Sequence, residues 1–170
     1  MLTSKGFSLT ELLITLLIII ILSLVAVPGM GRLRQDQELA NTLSALRGNL
    51  ALARQEAIRT GTSVSITPKE NRWQNGWIVF LDGNHDGILQ AQERVLRDSG
   101  PIGRGMSLTG NTPVRSYIRY TPSGRAALTN GAYQMGTLAL CLLDGSKGYK
   151  LSLNNAGRVS TVAVSECKAL

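Results

Sequence analysis

Four oxygen-bearing side chains in the middle of the chain follow the spacing of a calcium-binding loop. The stretch DGNHDGILQAQE matches the pattern Asp-x-Asp/Asn-x-Asp/Asn-Gly-x5-Glu. Its flanks, GWIVF and RVLRD, are typical of strands rather than of the two helices of that motif, and Asp, Asn and Gly also favour hairpin turns for their backbone geometry alone. We therefore expect no cofactor, with calcium as the alternative. The oxygen ligands would be Asp82, Asn84, Asp86 and Glu93.

One carboxylate near the amino terminus, Glu11, is the only charged residue within residues 7–27. About 20 apolar residues span the hydrocarbon core of a bilayer, so this segment is predicted to be a single transmembrane helix. A cleavable secretory signal is the rival interpretation, but VAVPGM is a poor cleavage site. An ionised carboxylate in lipid is costly, and Glu11 therefore needs a proton or a counter-ion.

The chain has two cysteines and one histidine. Neither a CxxC motif nor a Cys/His cluster occurs, so no zinc site is expected. If the carboxyl-terminal domain lies outside the inner membrane, a disulfide between Cys141 and Cys167 is favoured. It would close a loop of about 27 residues and contribute roughly 3–4 kcal/mol. His85 lies in a predicted turn, and no Ser/His/Asp set, GxSxG motif or P-loop accompanies it, so we predict no catalytic residue and no enzyme.

Positive charge is concentrated in the later part of the chain. The formal net charge is +7, and residues 101–170 carry eight basic side chains against two acidic ones. Such an excess favours solubility and contact with acidic lipid headgroups, or it favours binding to nucleic acid.

An amphipathic helix is predicted after Pro28 and should end near Gly61, which can act as a helix-terminating residue. Its apolar stripe consists of Leu39, Leu43, Leu46, Leu50, Ala53 and Ala57.

Short apolar or alternating segments separated by Gly- and Asn-rich turns follow this helix, and they predict an antiparallel sheet. These segments are TSVSI, GWIVFLD, ERVLRD, SYIRY, TLALCLL, YKLSL and VSTVAV. The segment YKLSL should place Tyr149, Leu151 and Leu153 on one face of its strand. We expect the buried face of the sheet to be covered by Leu43, Leu46, Leu50 and Ile58.

The start of the chain, KGFSLTE, resembles the processing site of type IV prepilins, although Thr10 stands where many members have Ile. Further segments resemble the FimT/GspH (FimU-like) group of minor pilins and pseudopilins. They are WQNGWIVFLDGNHDGILQAQERVLR, YIRYTPSGRA, LALCLL and LSLNNAGRVSTVAVSEC.

This resemblance implies an α+β, pilin-like fold, in which a long amino-terminal helix packs on an antiparallel β-sheet domain. It implies that a prepilin peptidase cuts between Gly6 and Phe7 and methylates the new amine of Phe7. Glu11 would then pair with that amine on a neighbouring subunit, a head-to-tail contact that builds an open filament. The implied divisions are a leader peptide (1–6), a transmembrane and filament-core half-helix (7–27), an amphipathic half-helix (28–60) and a β-rich periplasmic domain (61–170).

The function implied is that of a minor type IV pilin that helps to prime pilus assembly and stays near the tip. Its partners would be other minor pilins, the major pilin, the prepilin peptidase and inner-membrane lipid. It would begin as a single-pass inner-membrane protein and end in a fibre on the cell surface. Two alternatives stay open: a DNA-binding minor pilin for natural transformation, and a minor pseudopilin of a type II secretion system.

The DNA-binding members of the group carry a GRxR-type motif near a carboxyl-terminal cysteine. Here the matching stretch is GRVS, with Ser160 in place of the second Arg. Losing one phosphate-binding guanidinium should weaken binding, although other cations within reach can compensate, and no aromatic stacking pattern accompanies them. The candidate DNA-binding residues are Arg158, Lys150, Lys147, Arg125 and Lys168.

Overall fold

The computed structural model describes residues 8–170, apart from the side chains of residues 24–30. The predicted processing site, Gly6 and Phe7, lies outside the described residues. The chain divides into two compact units, Met1–Gln37 and Glu38–Leu170. The elements are α1 (Leu9–Thr60), β1 (Val64–Pro68), β2 (Trp77–Leu81), β3 (Val95–Asp98), β4 (Met106–Gly110), β5 (Ile118–Tyr120), β6 (Gly136–Leu142), β7 (Gly148–Leu153) and β8 (Val159–Val164).

The described part of the first unit is helical, and its large apolar side chains are exposed. Leu16 retains 48% of its accessible surface and Leu9 retains 76%. Within the described residues, no helix has an apolar stretch long enough to cross a membrane. The predicted span, residues 7–27, extends beyond the described side chains at both ends.

In the second unit, α1 contributes the predicted apolar stripe to the core. Leu46, Ala53 and Ala57 are completely buried, and Leu43 is partly buried against them. Ile58, which was expected to cover the sheet, is instead 52% exposed. That expectation was wrong because Ile58 follows the buried Ala57 by one residue, which turns its side chain about 100° around the helix.

The helix ends where the sequence predicts. Gly61 has a φ of 66°, a left-handed conformation that glycine adopts without a Cβ clash. Its N–H donates to the carbonyl of Ala57 at 3.1 Å, which satisfies one of the last helical carbonyls. The chain then enters β1 directly.

The antiparallel pairing is confirmed, but the strands form two sheets rather than one. The first has the order β3-β2-β1-β5, and the second has the order β4-β6-β7-β8. Both contribute to a single hydrophobic cluster that includes Leu46 and Leu50 of α1. Strand β4 was absent from the prediction, although Met106 and Leu108 alternate with polar residues as a half-buried strand should.

Strand β7 separates two turns of the second sheet, the β6–β7 turn and the β7–β8 turn. Its inward face carries Leu151 and Leu153, with Tyr149 partly buried, as predicted. The β6–β7 turn and the β7–β8 turn lie at opposite ends of β7. Six residues separate them, or about 20 Å of strand.

Candidate functional site

A basic cleft lies between α1 and the β7–β8 turn, entirely within the second unit. Its volume is about 380 Å³. Apolar and polar side chains share its lining, and none of the described residues that line it is acidic. We call it the arginine cleft, and its lining residues are Arg47, Leu50, Ala51, Arg54, Gln55, Tyr120, Gly157, Arg158 and Val159.

Arg54 is held in place by two backbone carbonyls from different turns. Its Nε donates to the carbonyl of Gly124 at 2.8 Å, and its Nη2 donates to the carbonyl of Ala156 at 3.2 Å. Gly124 follows β5 and Ala156 belongs to the β7–β8 turn. One helical side chain therefore joins the two sheets at the wall of the cleft and carries a fixed positive charge there.

The other two guanidiniums of the cleft are exposed and have no partner among the described residues. Arg47 lies seven positions before Arg54, two helical turns away on the same face of α1. Arg158 is anchored by its backbone, because its N–H donates to Oδ1 of Asn154 at 2.9 Å. Both side chains are therefore free to bind an anion.

Close packing of the β7–β8 turn shapes the floor of the cleft. Gly157 has a φ of 73°, and a Cβ at this position would collide with the carbonyl of Gly124 and lie 3.1 Å from the ring of Tyr120. Tyr120 itself is 1% exposed. Burial raises the pKa of its hydroxyl far above the ordinary value, against the opposing charge of Arg54. The floor is therefore a neutral phenol.

The five basic residues predicted to bind DNA do not form one patch. Arg125 adjoins the Gly124 turn and lies beside the cleft, but its guanidinium stacks over the ring of Tyr133, 5.5 Å from the ring centroid. Lys147 belongs to the β6–β7 turn, at the end of β7 away from Arg158. Lys168 lies at that same end, since the N–H of the preceding Cys167 donates to Gly145. Lys150 is exposed within β7.

The sequence analysis did not select Arg47 or Arg54, which the structure places beside Arg158. Their seven-residue spacing on a predicted helix was a usable signal that both lie on one face. The proximity of that face to the β7–β8 turn could not be derived from spacing, because it depends on how the helix packs against the two sheets.

The predicted disulfide is present. Cys141 of β6 is bonded to Cys167, with their Cα atoms 5.4 Å apart. Both residues are buried, with Ala139 and the partly buried Val164 around them. The bond holds the tail that follows β8 against β6.

The predicted calcium loop is organised around Asp82, which is fully buried. Its Oδ2 accepts hydrogen bonds from Ser65 Oγ at 2.5 Å and from the N–H of Gly87 at 3.0 Å. Its Oδ1 accepts from the N–H of Asp86 at 3.1 Å. Both oxygens of Asp82 thus serve as internal acceptors that shape the turn.

The other acidic residues of this loop are engaged in the same way. Asp86 accepts from the N–H of Ile88 at 2.7 Å and from the side chains of Gln90 and Asn84. Glu93 accepts from the N–H groups of Gly83 and Gln90. Within the part of the chain that the structure describes, no three acidic, histidine or cysteine side chains are grouped to hold a metal ion.

Asp86 should make the loop sensitive to acid. The N–H of Ile88, followed by the side chains of Gln90 and Asn84, lowers the pKa of its carboxyl below the ordinary value. A pKa that is lower in the folded than in the unfolded chain stabilises the fold above the unfolded value, and the contribution is lost as the pH falls through the folded value. We expect Asp86→Asn to lower the melting temperature at pH 7 and to flatten its further fall below about pH 4.

Melting of the full chain in detergent at several pH values, with and without millimolar calcium, measures both effects. Asn84→Ala is an intermediate case, because it keeps the titrating group but removes one of the hydrogen bonds that lower its pKa, and it should reduce the acid sensitivity only in part. Calcium should leave every melting temperature unchanged, whereas a cation at 100 times its Kd would stabilise the fold by about 2.7 kcal/mol. Equal acid sensitivity in wild type and Asp86→Asn would contradict the role of Asp86.

Glu11 lies in the first turn of α1 and is exposed. A carboxylate at this position interacts favourably with the amino-terminal end of the helix dipole. Its predicted pairing with a neighbour's amine stays a prediction.

A long helix whose carboxyl-terminal part packs on two antiparallel sheets, with a disulfide-bonded tail, defines a pilin-like protein. The model of the family described as "Type II transport protein GspH" matches residues 42–157, which is more than half of the chain. The chain therefore belongs to this family, and the predicted membership in the FimT/GspH group of minor pilins and pseudopilins is confirmed. Proteins of this class are structural subunits that work in complexes with other pilins.

Two solved proteins have similar structures. The type IV minor pilin FimU of Pseudomonas aeruginosa, in space group P21, has a TM-score of 0.59 and 23% identity, over 79% of this chain and 98% of that chain. A second crystal form of FimU, in space group P65, has a TM-score of 0.53 and 25% identity, over 78% of this chain and 99% of that chain.

The second is the minor pseudopilin EpsH from the type II secretion system of Vibrio cholerae. It has a TM-score of 0.55 and 14% identity, over 74% of this chain and 97% of that chain, so this similarity shows the fold alone. No curated protein matches the chain significantly.

Proposed function

We propose that this protein is a minor type IV pilin that helps to prime assembly of a pilus and is incorporated near its tip. The similarity to FimU carries the proposal, because it reaches 25% identity over 78% of this chain, against 14% for EpsH. The second candidate is a minor pseudopilin of a type II secretion system, which the description of the matching family favours.

In this proposal the chain is processed between Gly6 and Phe7 and is held in the inner membrane by its amino-terminal segment. The unit Glu38–Leu170 then lies in the periplasm until the subunit enters the fibre. Its partners are the prepilin peptidase, the other minor pilins and the major pilin. No catalytic step is assigned to the chain.

An in-frame deletion, complemented by the wild-type gene, distinguishes the candidates. Loss of surface fibres and twitching supports the minor pilin, and loss of exoprotein secretion with intact fibres supports the pseudopilin. Loss of transformation with both intact would instead support the DNA-binding alternative.

Glu11→Gln should leave processing intact but reduce incorporation into fibres at least about tenfold, because it removes a charge whose partner lies in a low-dielectric environment. Immunoblots of sheared fibres against whole cells measure the incorporated fraction. Glu11→Asp is the control, since it keeps the charge and should retain much of the incorporation. Wild-type incorporation of Glu11→Gln would refute the assembly role of this carboxylate.

A further inference from the structure

We infer that the arginine cleft receives an acidic side chain from a neighbouring pilin subunit. The inference rests on the proposed assembly of this chain with other pilins, and it identifies where on the periplasmic unit one such contact is made. The carboxylate would bind between Arg47 and Arg158, with Arg54 behind it.

The charge of the cleft is suited to binding an anion. Three guanidiniums share one concave surface, and none of its described lining residues is acidic. Glu56 follows Arg54 by two positions, which places it on another face of α1, and it is already bound to Arg59, with 2.6 Å between its Oε2 and Nη2 of Arg59. That pairing also lowers the pKa of Glu56. A carboxylate that enters this surface is therefore attracted by three positive charges.

The geometry favours a bound carboxylate over a loosely held counter-ion. The guanidinium of Arg54 is immobilised by the carbonyls of Gly124 and Ala156 before any ligand arrives. The exposed guanidiniums of Arg47 and Arg158 present planar, paired N–H donors that match the two oxygens of a carboxylate, whereas Nε and Nη2 of Arg54 already donate to carbonyls. Because Arg54 is already ordered, less side-chain entropy is lost when the anion binds.

The shape and lining favour a protein side chain over nucleic acid. A volume of about 380 Å³ is at the small end for ligand pockets. Val159, which is half-buried, gives the cleft an accessible apolar residue that suits the aliphatic stem of Glu. Tyr120 is 1% exposed and offers no face for a base to stack on. Lys147 and Lys168 lie at the far end of β7, about 20 Å of strand away from the β7–β8 turn, so neither lysine borders the cleft.

Photo-crosslinking of the full-length protein in cells tests the inference. The photoreactive residue p-benzoylphenylalanine replaces Gln55, an exposed residue of the cleft wall. After irradiation, mass spectrometry of sheared filaments identifies the crosslinked segment. We expect an adduct with an acidic segment of another pilin subunit.

The adduct should fall about tenfold in the double variant Arg47→Gln/Arg158→Gln, since charge-assisted hydrogen bonds are lost. It should be retained in part in Arg47→Lys/Arg158→Lys, which keeps both charges but not the paired donors. Arg97→Gln is the control, because this arginine is exposed, has no partner among the described residues and lies outside the cleft. Arg47 and Arg158 are exposed and have no side-chain partner among the described residues, so the double variant should fold. An intact disulfide and an unchanged melting temperature would verify this.

Charge exchange provides an independent measurement. Arg158→Glu should abolish the adduct, and changing the crosslinked acidic residue of the partner to arginine should restore it.

An adduct that is undiminished in the Gln double variant, or absent from filaments that contain the wild-type chain, overturns the inference while the proposed function stands. A nuclease-sensitive adduct with DNA also overturns it and supports the DNA-binding alternative. Absence of the wild-type chain from any pilus or pseudopilus refutes the proposed function itself, and the inference with it.

Discussion

Replacement of Asp82 with alanine should lower the free energy of unfolding by about 3–5 kcal/mol, because a buried donor that loses its acceptor costs about 1–3 kcal/mol and several donors depend on this side chain. Asp82 has no accessible surface, and its carboxylate accepts from Ser65 and from the N–H groups of Asp86 and Gly87. Alanine would leave the buried hydroxyl of Ser65 and the N–H of Gly87 without this acceptor, and the N–H of Asp86 would keep only its longer bond to Oδ1 of Asn84 at 3.3 Å. The loss would therefore extend from the loop into β1.

Thermal or denaturant unfolding of the full chain in detergent measures this loss. Asp82→Asn should cost less than alanine, because it keeps the volume and one acceptor oxygen, although its NH₂ group cannot accept a hydrogen bond. Asn84→Ala, an exposed change in the same loop, should cost under about 1 kcal/mol. If Asp82→Ala unfolds with wild-type stability, the carboxylate does not organise the loop as described.

Removal of the disulfide should cost about 2–5 kcal/mol. Cys141 and Cys167 are separated by 26 positions in the sequence, and the bond limits the freedom of this loop in the unfolded chain. In the folded chain it holds the tail against β6. The tail also bonds to two neighbouring elements: the N–H of Cys167 donates to the carbonyl of Gly145 in the β6–β7 turn at 3.1 Å, and the N–H of Leu170 donates to Oγ1 of Thr109 in β4 at 2.9 Å.

The double variant Cys141→Ala/Cys167→Ala, melted beside the wild type with and without reductant, tests this expectation. The variant should be insensitive to reductant, and the reduced wild type should approach it. Amide hydrogen exchange should increase most at residues 165–170, because they depend on the bond for their position. Equal melting temperatures for the oxidised and reduced wild type would contradict the prediction.

Much of the fold could be predicted from local patterns. Apolar residues at steps of three and four identified the stripe of Leu46, Leu50 and Ala53, and Gly61 marked the end of α1. Alternation identified the inward face of β7 at Leu151 and Leu153. These predictions succeed because helix and strand periodicities follow from backbone geometry and burial, which act over a few residues. The same alternation was available for β4 at Met106 and Leu108, where flanking glycines obscured it.

The arrangement of the functional residues could not be predicted in the same way. A match to the calcium pattern does not show whether Asp82 faces solvent or the core, and the structure places it inside, bonded to Ser65 of β1. A count of basic residues does not show which of them meet.

The sequence alone determined the long helix, the strand-rich domain, the family and the pair of cysteines that could bond. Only the tertiary structure decided that the strands divide into two sheets. It also decided that Arg47, Arg54 and Arg158 line one cleft, while Lys147 and Lys168 lie at the other end of β7. The physical reason is that periodicity reports which face of an element is buried, whereas the neighbours of an exposed charge depend on how distant elements pack together.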